Sequence, residues 1–292
     1  MTTECKGVTL RLNFPSFRQG AATIHDLVET IYLFLPQFCL PRSTLEEVRA
    51  QYGKISAEDY ELKWSQLSES ARDLFKRANI KTNRNGEAGE LLLHLLTDWI
   101  LGAPQLIAKM SLKTNTEMPV HGADGVHVKY CHDTSQLMLY WGESKLYKDV
   151  GSALTAAITS ITESLQPEKL KYELELVQRN ISFSGLDDIG RAAVLSYLDP
   201  FDEASNQRNN IITCLIGFDF DGFKKISAAD GNDAEAKFTS LAKDELSKLA
   251  PKLADAVNTA GLAAQPIELF LFPVPSVAEF RDFFQSKIGW PP

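Results

Sequence analysis

Cysteine is scarce in this chain. Four residues in 292, at positions 5, 39, 131 and 214, are widely separated and form no CxxC pair. That spacing excludes a disulfide framework and points to reduced thiols in a cytosolic setting. His121, His127, Cys131 and His132 gather along one stretch, but strand alternation would scatter them over both faces of a sheet. No second ligand pair stands elsewhere, so a zinc site is not expected. Long apolar runs are missing too: no uninterrupted segment reaches the roughly 18 residues of a membrane span, and the chain does not begin with a basic start and an apolar signal core. The expectation is a soluble, cytoplasmic protein. Neither a P-loop nor a G-x-G-x-x-G occurs, so any ATP-driven motor must lie in another chain.

Excess positive charge is absent. Lys and Arg total 30 against 38 Asp and Glu, a formal charge of -8, which excludes a protein that grips nucleic acid over its whole surface. Contact with DNA would have to be local or arranged by a partner. The run from Arg72 to Arg84 carries Arg72, Lys76, Arg77, Lys81 and Arg84 against the single acid Asp73. It reads either as a local phosphate-binding patch or as a solvated helix face. Lys81, Arg84 and Lys148 are the candidate DNA-binding cations.

What the chain has is ample apolar content, 44%, arranged with changing period. Val8 to Phe14 alternates as a strand, and Ala21 to Leu35 reads as a helix halted at Pro36. Helical patterns follow over Leu45 to Tyr52, Ala57 to Trp64 and Ser68 to Ala78. The expected organisation is an N-terminal strand and helical accessory region over residues 1–80, followed by the main α/β domain over 81–292. Within that domain, strands at Val126 to Cys131, Leu137 to Trp141, Ile211 to Phe220 and Ile267 to Phe272 alternate with helices. The helices are expected at Leu91 to Leu101, from Asp149 to about Leu165, Glu168 to Gln178, Asp187 to Leu198, Ala234 to Asn258 with an interruption near Pro251, and Val277 to Ile288. The pattern predicts a mixed sheet flanked by helices, with Ile211 to Phe220 as a central strand.

The turn residues His132-Asp133-Thr134-Ser135 lie midway between Asp124 and Glu143. If the flanking strands pair, Asp124 faces Glu143, and the period of two puts Lys145 on the same sheet face as Glu143. Opposed carboxylates repel unless a cation bridges them, and hard oxygen ligands suit Mg2+. Upstream, Glu87, Glu90, His94, Thr97 and Asp98 project to one side of a helix whose other side holds the leucines and Trp99. By itself such a stripe is more often a solvated surface. Downstream, Gly151, Ala153, Ala156 and Ala157 permit a helix to pack closely on the sheet. Asp219-Phe220-Asp221-Gly222 has the outline of a phosphatase nucleophile loop, but Phe223 stands where a threonine is needed, and a strand-end turn is the better reading.

The order of a helix carrying Glu90, a strand opened by Asp124, a paired strand with Glu143-Ser144-Lys145 and then a packed helix resembles the PD-(D/E)xK nuclease superfamily, although the proline of the motif is missing from His121-Gly122-Ala123-Asp124-Gly125. More narrowly, Gly86-Glu87-Ala88-Gly89-Glu90, His121 to His127 and Tyr140 to Tyr147 resemble the HamA family of the Hachiman anti-phage system. The resemblance implies a restriction-endonuclease-like fold and a metal-dependent DNA endonuclease. Asp124, Glu143 and Lys145 would be catalytic; Glu90, or Glu87 in its place, would join Asp124 and Glu143 around Mg2+ or Mn2+. It also implies a superfamily 2 helicase partner, HamB, that delivers DNA. The contrasting reading is a non-catalytic adaptor that binds and regulates the helicase, with the acids and Lys145 forming only a buried ion network; under either reading the apolar faces of the N-terminal helices, such as Ile31, Leu33 and Phe34, meet the helicase or pack within the chain.

Overall fold

Period-two alternation in the first residues builds β1 (Thr2–Cys5) and β2 (Val8–Leu12), whose Val8, Leu10 and Leu12 turn inward. A two-stranded ribbon, β3 (Phe17–Arg18) and β4 (Ala21–Ala22), leads into α1 (Ile24–Tyr32), α2 (Leu35–Cys39), α3 (Arg42–Arg49) and α4 (Ala57–Ala78). Next come α5 (Glu87–Leu101), β5 (Gln105–Ile107), α6 (Lys109–Leu112), β6 (Gly125–Cys131), β7 (Gln136–Tyr147), α7 (Val150–Ser164), α8 (Pro167–Asn180) and α9 (Asp188–Leu198). The chain closes with β8 (Arg208–Asp219), α10 (Ala234–Thr259), β9 (Ile267–Val274) and α11 (Val277–Ile288). This computed structural model describes residues 2–5, 7–79, 86–112, 123–181, 183, 186–199 and 208–290. Among them no helix is long and apolar enough to cross a membrane.

The hydrogen-bonded strand order is β1-β2-β9-β8-β7-β6-β5, a seven-stranded mixed sheet. The pairs β2 with β9 and β8 with β9 are parallel, whereas β1 with β2, β6 with β7 and β5 with β6 are antiparallel. As expected, Ile211 to Phe220 supplies a central strand; Thr213, Cys214 and Leu215 of β8 are completely buried.

Two compact units share the chain. One comprises Met1–Thr30, Glu143–Leu165 and Ile211–Pro292; the other comprises Ile31–Gly142 and Gln166–Asn210. The first has an aromatic centre at the fully buried Phe238, whose ring lies 4.6 Å from Phe14, 5.2 Å from Phe17 and 4.2 Å from Phe223. Contacts of this kind add to the area term of burying such large side chains. The second unit buries Phe38 and Phe75, 6.3 Å apart, and the leucines of α5. These units cut the chain along other lines than the expected break after residue 80. The reason is the parallel pairing of β2 with β9, which ties the start of the chain to its end; local patterning carries no sign of such a long crossover.

Several element boundaries also differ from the sequence reading. Pro36 does not stop a helix but sits in the first turn of α2, where a missing N–H is harmless. The stretches at 57–64 and 68–78 are one helix: Ser68 Oγ donates to the Trp64 carbonyl at 2.9 Å, so its hydroxyl is used within the helix instead of breaking it. α10 runs through Pro251, since burial of Leu249, Leu253 and Ala254 around that position opposes the cost of the proline. Asp219 ends β8, and its Oδ1 accepts from the Val277 N–H at 2.6 Å in the first turn of α11, whose N-cap is Ser276, a long-range role the turn reading did not include.

Candidate metal and phosphodiester site

The hairpin forms in the expected register. Cys131 pairs with Gln136 at the turn and Gly125 with Gly142 at the open end. Ser135 takes a φ of 52°, the left-handed geometry that such a tight connection needs. One residue beyond Gly125 stands Asp124, whose N–H donates to the Gly142 carbonyl at 2.7 Å; one residue beyond Gly142 stands Glu143. The ladder ends at the two glycines, and the Asp124 N–H, bonded to Gly142 and not to Glu143, lies one residue out of its register, as at a β-bulge. A Cβ on Gly142 would come tightly against Gly125 backbone atoms and Leu93 Cδ2, all at 3.3 Å. That crowding marks the close approach of α5 to the hairpin.

β7 alternates as predicted past Gly142: Ser144 and Leu146 are buried, while Glu143 and Lys145 share the more open face and form an ion pair. Their side chains are 12% and 21% exposed, so water still reaches both groups. Directly after β7, Asp149 caps α7 by accepting from Ser152 N–H at 2.7 Å, and the small residues Ala153 and Ala157 are buried. The backbone and side chain of Ser152 hold the Asp149 carboxyl below its ordinary range.

The polar stripe of α5 departs from expectation. It is not a solvated face: Glu87, His94 and Thr97 are buried, whereas Trp99, placed with the leucines on the packed side, is 54% exposed. Leucines occupy so much of α5 that nearly the whole circumference is covered, leaving only its C-terminal end open. The stripe packs towards β6, where His94 Nδ1 lies 3.4 Å from His127 Nε2. His127 Nδ1 donates to the Ala103 carbonyl at 2.8 Å, so its Nε2 accepts and His94 is the donor. Burial drives both imidazoles below their ordinary values, His127 to about 4, and keeps this pair neutral. Beside them Arg42 pairs with Asp98 at 3.8 Å; desolvation lowers the former and raises the latter.

Glu90 is half-buried one turn before Leu93 and His94 on the same face of α5. Glu87, the other candidate, has its Oε2 accepting from the Gly86 N–H at 3.1 Å, a contact at the helix's own N-terminus. Acids in a first turn also suit the helix dipole. Among the described residues, no three His, Cys, Asp or Glu side chains are gathered as a ready-made metal shell. The donor chemistry nonetheless fits Mg2+, which is usually held by one or two carboxylates and completes its octahedron with water and substrate phosphate oxygens.

The remaining candidates are distributed as follows. Lys81, Arg84 and His121 lie outside the described residues. Lys148 is exposed just after β7. Arg72 pairs with Glu69 at 3.6 Å, and Lys76 and Arg77 continue along α4. Trp141 is core, with Nε1 donating to Asn210 Oδ1 at 3.1 Å; Tyr140 is buried too, and Tyr147 is 40% exposed. His132 instead pairs with Asp187 at 2.9 Å near the hairpin turn. Sequence reasoning missed Lys109 and Glu173, a buried ion pair at 2.6 Å in which Lys109 Nζ also donates to the Ala123 carbonyl. Their separation along the chain leaves no pattern to read.

The fold and the hairpin define an α/β protein with a mixed sheet that carries carboxylates and a lysine at the end of an antiparallel strand pair. The family model described as HamA matches residues 2–288, and the chain belongs to that family. Membership supports a role related to Hachiman defence. No curated protein matches the chain.

Proposed function

We propose that the protein is a Mg2+-dependent DNA endonuclease of restriction-endonuclease-like fold, the effector of a helicase-coupled anti-phage complex. The observation that supports this reading is the hairpin, whose open end at Gly125 and Gly142 is flanked in sequence by Asp124 and Glu143, with Lys145 on the face of Glu143. Asp124 and Glu143 are the residues to hold the metal, and Glu90 is the third. Mg2+, when bound, supplies a water of lowered pKa and neutralises charge on the scissile phosphate. Lys145 is close enough to Glu143 to share that charge field; its ammonium stabilises negative charge developing on the phosphate and orients the attacking water. The neutral His94 and His127 pair underneath adds no positive charge that would compete for the carboxylates.

The net charge of -8 makes unaided DNA binding weak, which agrees with delivery by a helicase such as HamB. Lys81, Arg84 and Lys148 are the cations assigned to the DNA backbone. Plasmid cleavage with and without Mg2+ or Mn2+ tests the reading: the wild type cuts only with metal, and Glu143→Ala and Lys145→Ala do not cut. Equal degradation by all three proteins would end it. The adaptor reading draws on a different feature, the apolar surface at Leu33, Trp99 and Ile100, which are 69%, 54% and 42% exposed, with Phe34 packed edge-on against Trp99 at 4.8 Å. Helicase binding without any metal-dependent cleavage would favour it.

A further inference from the structure

The peptide group that joins Ala123 to Asp124 is held at both ends. Its N–H, on Asp124, donates to the Gly142 carbonyl at 2.7 Å, and its C=O, on Ala123, accepts from Lys109 Nζ at 2.6 Å. A peptide unit is planar, so these two bonds together set its rotation about the chain axis and thereby the direction in which the Asp124 side chain leaves the backbone. The side chain that makes the second bond is 3% exposed and is paired with Glu173, whose side chain is 4% exposed, at 2.6 Å. Taking two charges out of water is costly, and such a pair is weak evidence of stabilisation for its own sake. An apolar pair of similar volume could fill the same space. What it could not do is donate to the Ala123 carbonyl.

We infer that Lys109, oriented by Glu173, is a positioning residue that aims the Asp124 carboxylate for divalent-cation binding. The inference rests on the proposed metal-dependent reading of Asp124. Lys109 touches neither substrate nor metal in this role; it acts through the backbone of the residue before the ligand. Groups that orient metal ligands from behind typically govern affinity or activity by about 10- to 100-fold. Glu173 keeps the ammonium in place, and its own carboxyl is raised by desolvation against the opposing pull of Lys109.

The test is Mn2+ binding by the full chain, followed by the electron paramagnetic resonance of the free ion, together with steady-state cleavage of DNA. Lys109→Met/Glu173→Met removes both charges while retaining bulk. The double variant is expected to keep a cooperative melt, its midpoint lowered for the Ala123 carbonyl it leaves unpaired. Its Mn2+ dissociation constant should rise by about tenfold or more, with kcat lowered and KM for DNA unchanged. If it does not fold, Lys109→Met/Glu173→Gln, which also lacks a donor at position 109 but keeps a polar neutral group at 173, is expected to show the same weakening. Wild-type Mn2+ affinity in either folded double variant overturns the inference. Failure of both variants to fold overturns it too, since the pair would then be structural alone. The parent reading fails separately, when the wild type neither binds Mn2+ nor cuts, or when Glu143→Ala cuts as well as the wild type.

Discussion

Two Lys–Glu pairs in this protein have the same chemistry and opposite settings. Lys145 and Glu143 are 21% and 12% exposed on the open face of β7, while Lys109 and Glu173 are 3% and 4% exposed between α6 and α8. Water can replace either partner of the first pair, so its carboxylate can exchange an ammonium for another cation at small cost. The second pair has no such freedom, because separating it strands a charge away from water. Exposure, rather than residue type, divides a pair suited to chemistry from one suited to holding backbone.

The largest expected effect falls on the open pair. Glu143→Ala and Lys145→Ala should each lower metal-dependent DNA cleavage by about 100- to 1000-fold, the range for removing one group that stabilises the transition state. Lys145→Ala should cost about 1–3 kcal/mol, since the pair is only partly open to water. The closed pair should show the reverse balance in stability. Lys109→Ala is expected to cost about 3–5 kcal/mol, whereas Lys109→Met/Glu173→Met should cost less, about 1–3 kcal/mol, for the Ala123 carbonyl left without its donor. Urea unfolding measures both, and equal costs for Lys109→Ala and Lys145→Ala would break the contrast.

A smaller effect should come from the buried imidazoles. His127 stays neutral in the folded chain down to about pH 4, and His94 also titrates well below its ordinary 6.5. The unfolded chain therefore binds more protons between these values. Stability is fully present above about 6.5 and declines as pH falls towards 4. The urea midpoint should drop between pH 7 and pH 5, and His127→Gln should flatten that slope; an unchanged slope would show that the pair does not stay neutral. Least of all, Ser56→Ala should cost about 1 kcal/mol through loss of the cap that accepts from Asp59 N–H at 3.1 Å, a measure of what one ordinary surface hydrogen bond contributes here.

The hairpin was legible because its signals are local: two alternating runs, a polar turn at their midpoint and acids at equal distances from it. The cap at Asp149 was legible for the same reason, since a cap and the amide it serves are three residues apart. The stripe on α5 was misread because an amphipathic projection says which residues share a face, not which face meets protein. His94 and Thr97 are buried because β6, more than twenty residues later, covers them. Trp99 remains 54% exposed, with Phe34 packed against one edge of its ring.

By itself, then, the order of residues determined the strand register, the shared face of Glu143 and Lys145, and most helix ends, all consequences of backbone periods and neighbouring hydrogen bonds. Tertiary structure alone decided that the start of the chain pairs with β9, that the α5 stripe is desolvated, and that Lys109 reaches the carbonyl before Asp124. Burial and long-range pairing depend on partners far along the chain, and no local pattern encodes which partner arrives.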